Sequence, residues 1–198
     1  VDVPPIPPEA AQYERMLVRE AHAQWGLDAP ISTFAAQIHQ ESGWRSTAKS
    51  KYASGLAQFT PATAEWISKV YPASLGAPAP YSPGWAIRAL IVYNRRLFGA
   101  ISPLSAPLPQ VPDCDRWALA LSGYNGGPGW VSRDRKLTAQ LGGNPDAWWG
   151  EVENHSTRAE WAFRENRDYP RKILLRWESL YFDAGWGGRV CGQQSTQP

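Results

Sequence analysis

IHQESGWRSTAKSKYASGLAQFTP, residues 38–61, carries one acidic residue, Glu41, and then no other through Pro61. Upstream of it runs an apolar helical pattern in which Phe34, Ala35 and Ile38 recur. Glu41 falls seven residues after Phe34 and three after Ile38, so on a 3.6-residue period all three share a face. Ser32 or Thr33 can cap this helix, and Gly43 closes it. Glu41 therefore stands in the last turn of an apolar helix. Loss of water and the negative end of the helix dipole both disfavour its anion there. A carboxyl so placed is suited to keep its proton near neutral pH and act as a general acid. The residues also allow a plainer reading, a carboxylate paired with Arg45 or a nearby lysine, and Glu41 alone does not separate the two.

The rest of the chain is helical in pattern. EAAQYERMLVREAHAQWG sets Tyr13, Met16, Leu17 and Ala21 on one face, with Gly26 as the stop. Thr60-Pro61 is a cap followed by proline at the first helical position. PGWAIRALIVYNRRLFG and DRWALALSGYNGG read as apolar helices, and Pro128 opens another that runs through Leu141. RAEWAFRENRDYPRKILLRWESLYF reads as two helices broken near Pro170. The Pro-rich stretch 99–112, GAISPLSAPLPQVP, is long for a loop and reads as an insertion or lid. With no internal repeat and no alternating strand pair, the class is mainly α. The expected division is a Pro-rich extension over 1–8, one domain over 9–187 and a polar tail over 188–198.

Composition narrows the partners. The chain has 198 residues and a formal net charge of +2, with no Lys/Arg run, so nucleic acid is not expected. No run of eighteen apolar residues occurs, so no membrane span is expected. His22, His39 and His155 are scattered and no CxxC or HExxH is present, so neither metal nor cofactor is implied. Cys114 and Cys191 could form a disulfide in an oxidising compartment or stay as two thiols. Eleven Trp residues suit either a core or a surface that stacks sugar rings. The start, VDVPPIPPEA, has neither Met nor a leader, as after trimming, so it does not argue for the cytoplasm.

Four short blocks, in order, resemble the lysozyme-like catalytic domain of soluble lytic transglycosylases, related to goose-type lysozyme. They are Glu41-Ser42-Gly43-Trp44, then Ala53-Ser54-Gly55-Leu56-Ala57-Gln58-Phe59-Thr60-Pro61, then Gly123-Tyr124-Asn125-Gly126-Gly127, and last Glu165-Asn166-Arg167-Asp168-Tyr169. The resemblance implies a single lysozyme-like domain of packed helices around a glycan-binding groove. It implies cleavage of peptidoglycan between N-acetylmuramic acid and N-acetylglucosamine without water, leaving 1,6-anhydro ends. Glu41 would be the acid and then the base, and Tyr124 the tyrosine whose hydroxyl holds its carboxyl. Ser50, Gln58, Phe59, Asn125, Glu165 and Tyr169 would be substrate-binding. Where the family has methionine this chain has Ala57, and where it has alanines this chain has Gly123 and Gly126, which suggests a looser turn. Taken alone, Gln58 is also a helix-entry polar residue, Tyr124 a core residue, and Glu165 with Arg167 a structural ion pair. A monomer acting on glycan strands outside the cytoplasmic membrane is expected, with bacterial, secretion-system or phage origin left open. Two other readings stay open, a goose-type hydrolase of the same bond and a catalytically silent peptidoglycan-binding module.

Overall fold

The computed structural model describes residues 5–105 and 110–192. The middle of the stretch read as a lid (106–109), the first four residues and most of the polar tail (193–198) lie outside the described residues. The described chain falls into two units, each assembled from separate segments. One holds residues 5–93 and 176–189, the other residues 94–175 and 190–192.

In the first unit a 3-10 helix, Pro8–Tyr13, leads into α1, Glu14–Gln24. Then come α2 (Ile31–Ser42), α3 (Pro61–Val70), the short α4 (Pro72–Leu75) and the start of α5 (Pro83–Gly99). α2 is buried on every side from Ile31 through Ile38, not along one stripe. It packs against the last helix of the unit, Glu178–Asp183. This explains why Ser32 and Thr33 do not cap it. Pro30 takes the cap position, and both hydroxyls are spent inside the unit. Ser32 Oγ donates to the Gly187 carbonyl at 2.8 Å, and Thr33 Oγ1 donates to Glu178 Oε2 at 2.6 Å. A buried hydroxyl needs a partner, and the tertiary partner outcompetes the local one. Thr60 does cap α3, accepting from the Thr63 N–H at 3.2 Å, with Pro61 at the first helical position.

In the second unit α6 (Asp113–Gly126) packs on α7 (Pro128–Gln140) and on α8 (Glu160–Lys172). The break expected near Pro170 lies further on. α8 runs through Pro170, and the helix is disturbed only in the π turn Ile173–Trp177, after which α9 (Glu178–Asp183) follows. Proline removes one N–H and crowds the carbonyl four residues back. Here Asn166, Arg167, Tyr169 and Pro170 are all buried, and that packing holds the helix through the lost bond. A disulfide joins Cys114 at the start of α6 to Cys191, with Cα atoms 4.8 Å apart. Closing a loop of 77 residues contributes on the order of 4 kcal/mol in the chain-entropy account. Among the described residues there is no β-sheet, only isolated bridges from Ser54 to Lys49 and Phe59.

A buried carboxylate organises this unit. Asp134 Oδ2 accepts from Arg158 and from Arg167, each at 2.9 Å. Arg167 also donates to the carbonyls of Val152, Glu153 and His155, so one guanidinium ties α8 to α7 and to the 3-10 turn Val152–Asn154. A second buried pair, Arg135 with Asp146 at 2.8 Å, anchors the beginning of the Pro-rich stretch. The N–H groups of Leu104 and Ser105 and the Ser105 hydroxyl donate to Asp146, and Arg135 donates to the Ser102 carbonyl. Replacing Asp134 with Ala strands two buried guanidinium groups. The Asp134→Ala chain is expected to lose about 3–5 kcal/mol of stability, read as a lowered thermal unfolding midpoint, whereas the exposed-pair variant Glu160→Ala changes little.

Candidate active site

α2 ends because Gly43 adopts the left-handed conformation (φ +59°, ψ +30°) and its N–H bonds the His39 carbonyl at 2.9 Å. Trp44 follows with φ +66°, unusual for a residue with a side chain. Its indole is fully buried, packs on Tyr13, Tyr181 and Trp186, and donates from Nε1 to the Tyr181 hydroxyl at 2.6 Å. The left-handed backbone costs about 1–2 kcal/mol. Anchoring the indole outweighs this, since truncating a buried aromatic costs about 3–5 kcal/mol. Trp44 is therefore a core residue that locks the turn immediately after Glu41. Glu41 itself is half-buried, in the last turn of α2.

The loop after this turn is built by backbone demands. Gly55 has φ +81°, and a Cβ there would lie 1.8 Å from the Pro80 carbonyl oxygen, so the close approach is by Pro80. Gln58, also at positive φ, donates from Nε2 to the carbonyls of Ala48 (3.2 Å) and Gly55 (2.9 Å). Both amide hydrogens are thus spent on holding the loop, and the side-chain oxygen is the part left for a ligand. Ser50 is exposed, with its hydroxyl against the Ala53 backbone. Phe59 is buried, edge-on to Trp85 with centroids 5.2 Å apart.

The other candidate residues lie in the second unit. Tyr124 and Asn125 occupy the last turn of α6, both half-buried. The Tyr124 ring is nearly parallel to that of the buried Tyr169, with centroids 6.4 Å apart. Asn125 Oδ1 accepts from Asn166 Nδ2 at 3.1 Å, and Asn166 also exchanges two bonds with Ser122. The turn is not looser for its glycines. A Cβ at Gly126 would stand 2.6 Å from Arg158 Nη1 and 2.8 Å from Asn166 Nδ2, so the glycine permits tighter packing. Glu165 is exposed on α8, while its neighbour Arg167 is committed to Asp134. Asn166 stood in the fourth block without a role assigned to it, and its use appears only once α8 packs on α6. Tyr181 and His39 had no sequence signal at all.

His39 stacks on Trp177 with centroids 4.2 Å apart, and its Nδ1 lies 2.7 Å from the Tyr181 hydroxyl. That hydroxyl accepts from Trp44, so its own hydrogen is available to a neutral imidazole. Burial, and then the charge of Arg176, hold the His39 pKa below its ordinary value, and burial raises that of Tyr181. Each unit thus presents distinct chemistry: a half-buried carboxyl in the first, an amide and a phenol in the second.

The helical architecture and these motif positions define a lysozyme-like domain. The chain belongs to the transglycosylase SLT domain family, which matches it over residues 16–146. It is 32% identical over 187 residues to the membrane-bound lytic murein transglycosylase F of Vibrio vulnificus, an alignment covering 88% of this chain and 32% of the relative. The protein of the same name from Yersinia enterocolitica is 35% identical over 115 residues, 58% of this chain and 21% of the relative. The chain therefore spans a third or less of these curated relatives. Its fold is similar to that of the 70 kDa soluble lytic transglycosylase of Escherichia coli, with a TM-score of 0.57 and 21% identity over 87% of this chain and 24% of that one. No described helix is long and apolar enough to cross a membrane.

Two outcomes test this geometry. Gly55→Ala drives a Cβ into the Pro80 carbonyl and is expected to cost about 3 kcal/mol, measured by thermal unfolding. A depressed His39 pKa means that the unfolded chain binds the proton more readily. Stability is then complete above about pH 6.5 and falls as pH drops below it. The slope of unfolding midpoint against pH in that range should flatten in His39→Gln.

Proposed function

We propose that this chain is the catalytic domain of a peptidoglycan lytic transglycosylase, with Glu41 as acid and then base. The observation that carries this is the half-buried placement of Glu41 in the last turn of α2, fixed by the Gly43–Trp44 turn; the two buried glutamates of its unit serve the packing. Glu20 is held by Arg88 through two bonds, at 2.8 and 2.9 Å. Glu178 accepts from Thr33, eight residues and about 12 Å of helix from Glu41. Glycosidases that use water ordinarily need two carboxylates, one as acid and one as base or nucleophile. A reaction that closes a ring inside the substrate needs only one.

In that reaction Glu41 gives its proton to the oxygen joining N-acetylmuramic acid to N-acetylglucosamine, and the C1–O bond breaks. The substrate's own N-acetyl oxygen stabilises the developing cation at C1. The Glu41 carboxylate then takes the proton of the muramic C6 hydroxyl. O6 attacks C1, leaving a 1,6-anhydro ring and a restored acid. Tyr124 keeps the positioning role its motif implies. Ser50, Gln58, Asn125, Glu165 and Tyr169 are the proposed substrate-binding positions, with Phe59 contributing from beneath the Gln58 loop. The names of the Vibrio and Yersinia relatives support this substrate. Peptidoglycan lies outside the cytoplasmic membrane, so the domain acts there, as a monomer.

Glu41→Gln keeps the size of the side chain and removes the proton. It should lower lysis of cell walls about a thousandfold with an unchanged unfolding midpoint, and near-normal lysis would refute the assignment. Mass spectrometry of the wild-type digest should find anhydro ends, whereas reducing ends would place water in the reaction instead.

A further inference from the structure

The N–H groups in the first turn of a helix have no partners within that helix. In α2 Pro30 holds the cap position and no side chain bonds back. The N–H of the buried Ser32 is met from far along the chain, by the Gly188 carbonyl at 3.0 Å. Its hydroxyl donates to the neighbouring Gly187 carbonyl at 2.8 Å. Gly187 lies so close to α2 that a Cβ there would stand 2.8 Å from Ile31 Cβ. One residue earlier, Trp186 is buried against Trp44 and Tyr181, with ring centroids 5.4 and 5.0 Å apart. Residues 186–188 therefore close the start of α2 and also support the turn that follows Glu41 at its end.

The bonds from Gly187 and Gly188 are weak ones. A hydrogen bond contributes little net, and the Arg189 guanidinium over the exposed Phe182 ring, at 3.9 Å, contributes little more. The strong restraint is covalent and comes three residues after Gly188, where Cys191 is joined to Cys114. A short tether keeps a weakly bound group at high effective concentration beside its partner, and cutting it removes that advantage. Cys114 is buried and Cys191 half-buried, so Cys191 Sγ is the sulfur that a reductant reaches.

We propose that the Cys114–Cys191 disulfide is a redox-dependent positioning element: formed, it holds residues 186–188 on α2 and so sets Glu41 for catalysis; reduced, it releases them and slows cleavage in a chain that stays folded. The proposal rests on the transglycosylase reading above and deepens it. The reductant is a dithiol. One of its thiolates attacks Cys191 Sγ, and Cys114 leaves as a thiolate and takes a proton. The second thiol then closes the reductant's own disulfide and frees the Cys191 thiol, two electrons and two protons in all. Such dithiols dominate the cytosol and are scarce outside it, so the domain gains full activity only where its substrate lies.

The test uses the full chain, oxidised, reduced with dithiothreitol, and as the Cys114→Ser/Cys191→Ser double variant. On soluble glycan strands reduction should lower kcat about tenfold with KM little changed. Reoxidation should restore the rate, and the double variant should be slow and indifferent to dithiothreitol. Amide hydrogen exchange at Ser32 should quicken at least tenfold on reduction, while Leu119 in α6 stays as slow as before. In Gly187→Ala the disulfide remains but the Cβ forces the segment off Ile31, so the same loss of rate and of Ser32 protection is expected. Unchanged kcat on reduction, equal quickening at Ser32 and Leu119, loss of helix by circular dichroism, or a fully active Gly187→Ala chain would each overturn the proposal. If the oxidised wild type cleaves no strand, the transglycosylase reading fails, and the exchange at Ser32 still decides whether the disulfide holds the segment.

Discussion

The Tyr181 hydroxyl is the point on which the geometry of the first unit depends. It receives the indole N–H of Trp44 and faces Nδ1 of His39, so it joins the turn after α2 to the last turns of α2 itself. With that contact made, Trp44 can occupy a backbone conformation that side chains ordinarily avoid, and the chain leaves α2 in one fixed direction. Glu41 lies between these two anchors, two residues after His39 and three before Trp44. Its backbone is therefore placed by neighbours on both sides, as a rigid scaffold fixes the position of a side chain it presents.

The second unit solves a similar problem with charge. One buried carboxylate, Asp134, takes two guanidinium groups, and one of these, Arg167, reaches three carbonyls of the segment 152–155. Breaking a buried ion pair costs far more than forming one gains, so such a network serves to keep one arrangement of α7 and α8 over others. Asn166, next to Arg167, then reaches Ser122 and Asn125 on α6. The Tyr–Asn end of α6 is thereby held by residues whose only apparent business is structural.

This division of labour changes what the motifs mean. Of the Glu-Ser-Gly-Trp block, the glutamate is half-buried in the last turn of α2, and the glycine and tryptophan make the turn after it. In the second block Gly55 exists for Pro80, and Gln58 spends its amide hydrogens on the loop. In the last block Asn166, Arg167 and Tyr169 are buried, and Glu165 and Asp168 are exposed. Short motifs of this kind record a loop's construction as much as its contact with a ligand.

Helix positions were readable from residues 38–61 and their neighbours, because helix ends obey local rules. Gly43 closes α2, Thr60-Pro61 opens α3, and glycine ends α6, each through bonds within a few residues of the chain. The placement of Glu41 in a last turn followed from the same periodicity. What the sequence could not determine was the choice of distant partner. Ser32 and Thr33 have the chemistry of caps, yet burial turned them to Gly187 and Glu178. Pro170 has the chemistry of a break, yet packing carried α8 past it. Gly126 suggested slack and instead admits Arg158 and Asn166. In each case a local preference of about 1–3 kcal/mol met a buried group that had to be satisfied, and only the packed structure decides which demand prevails.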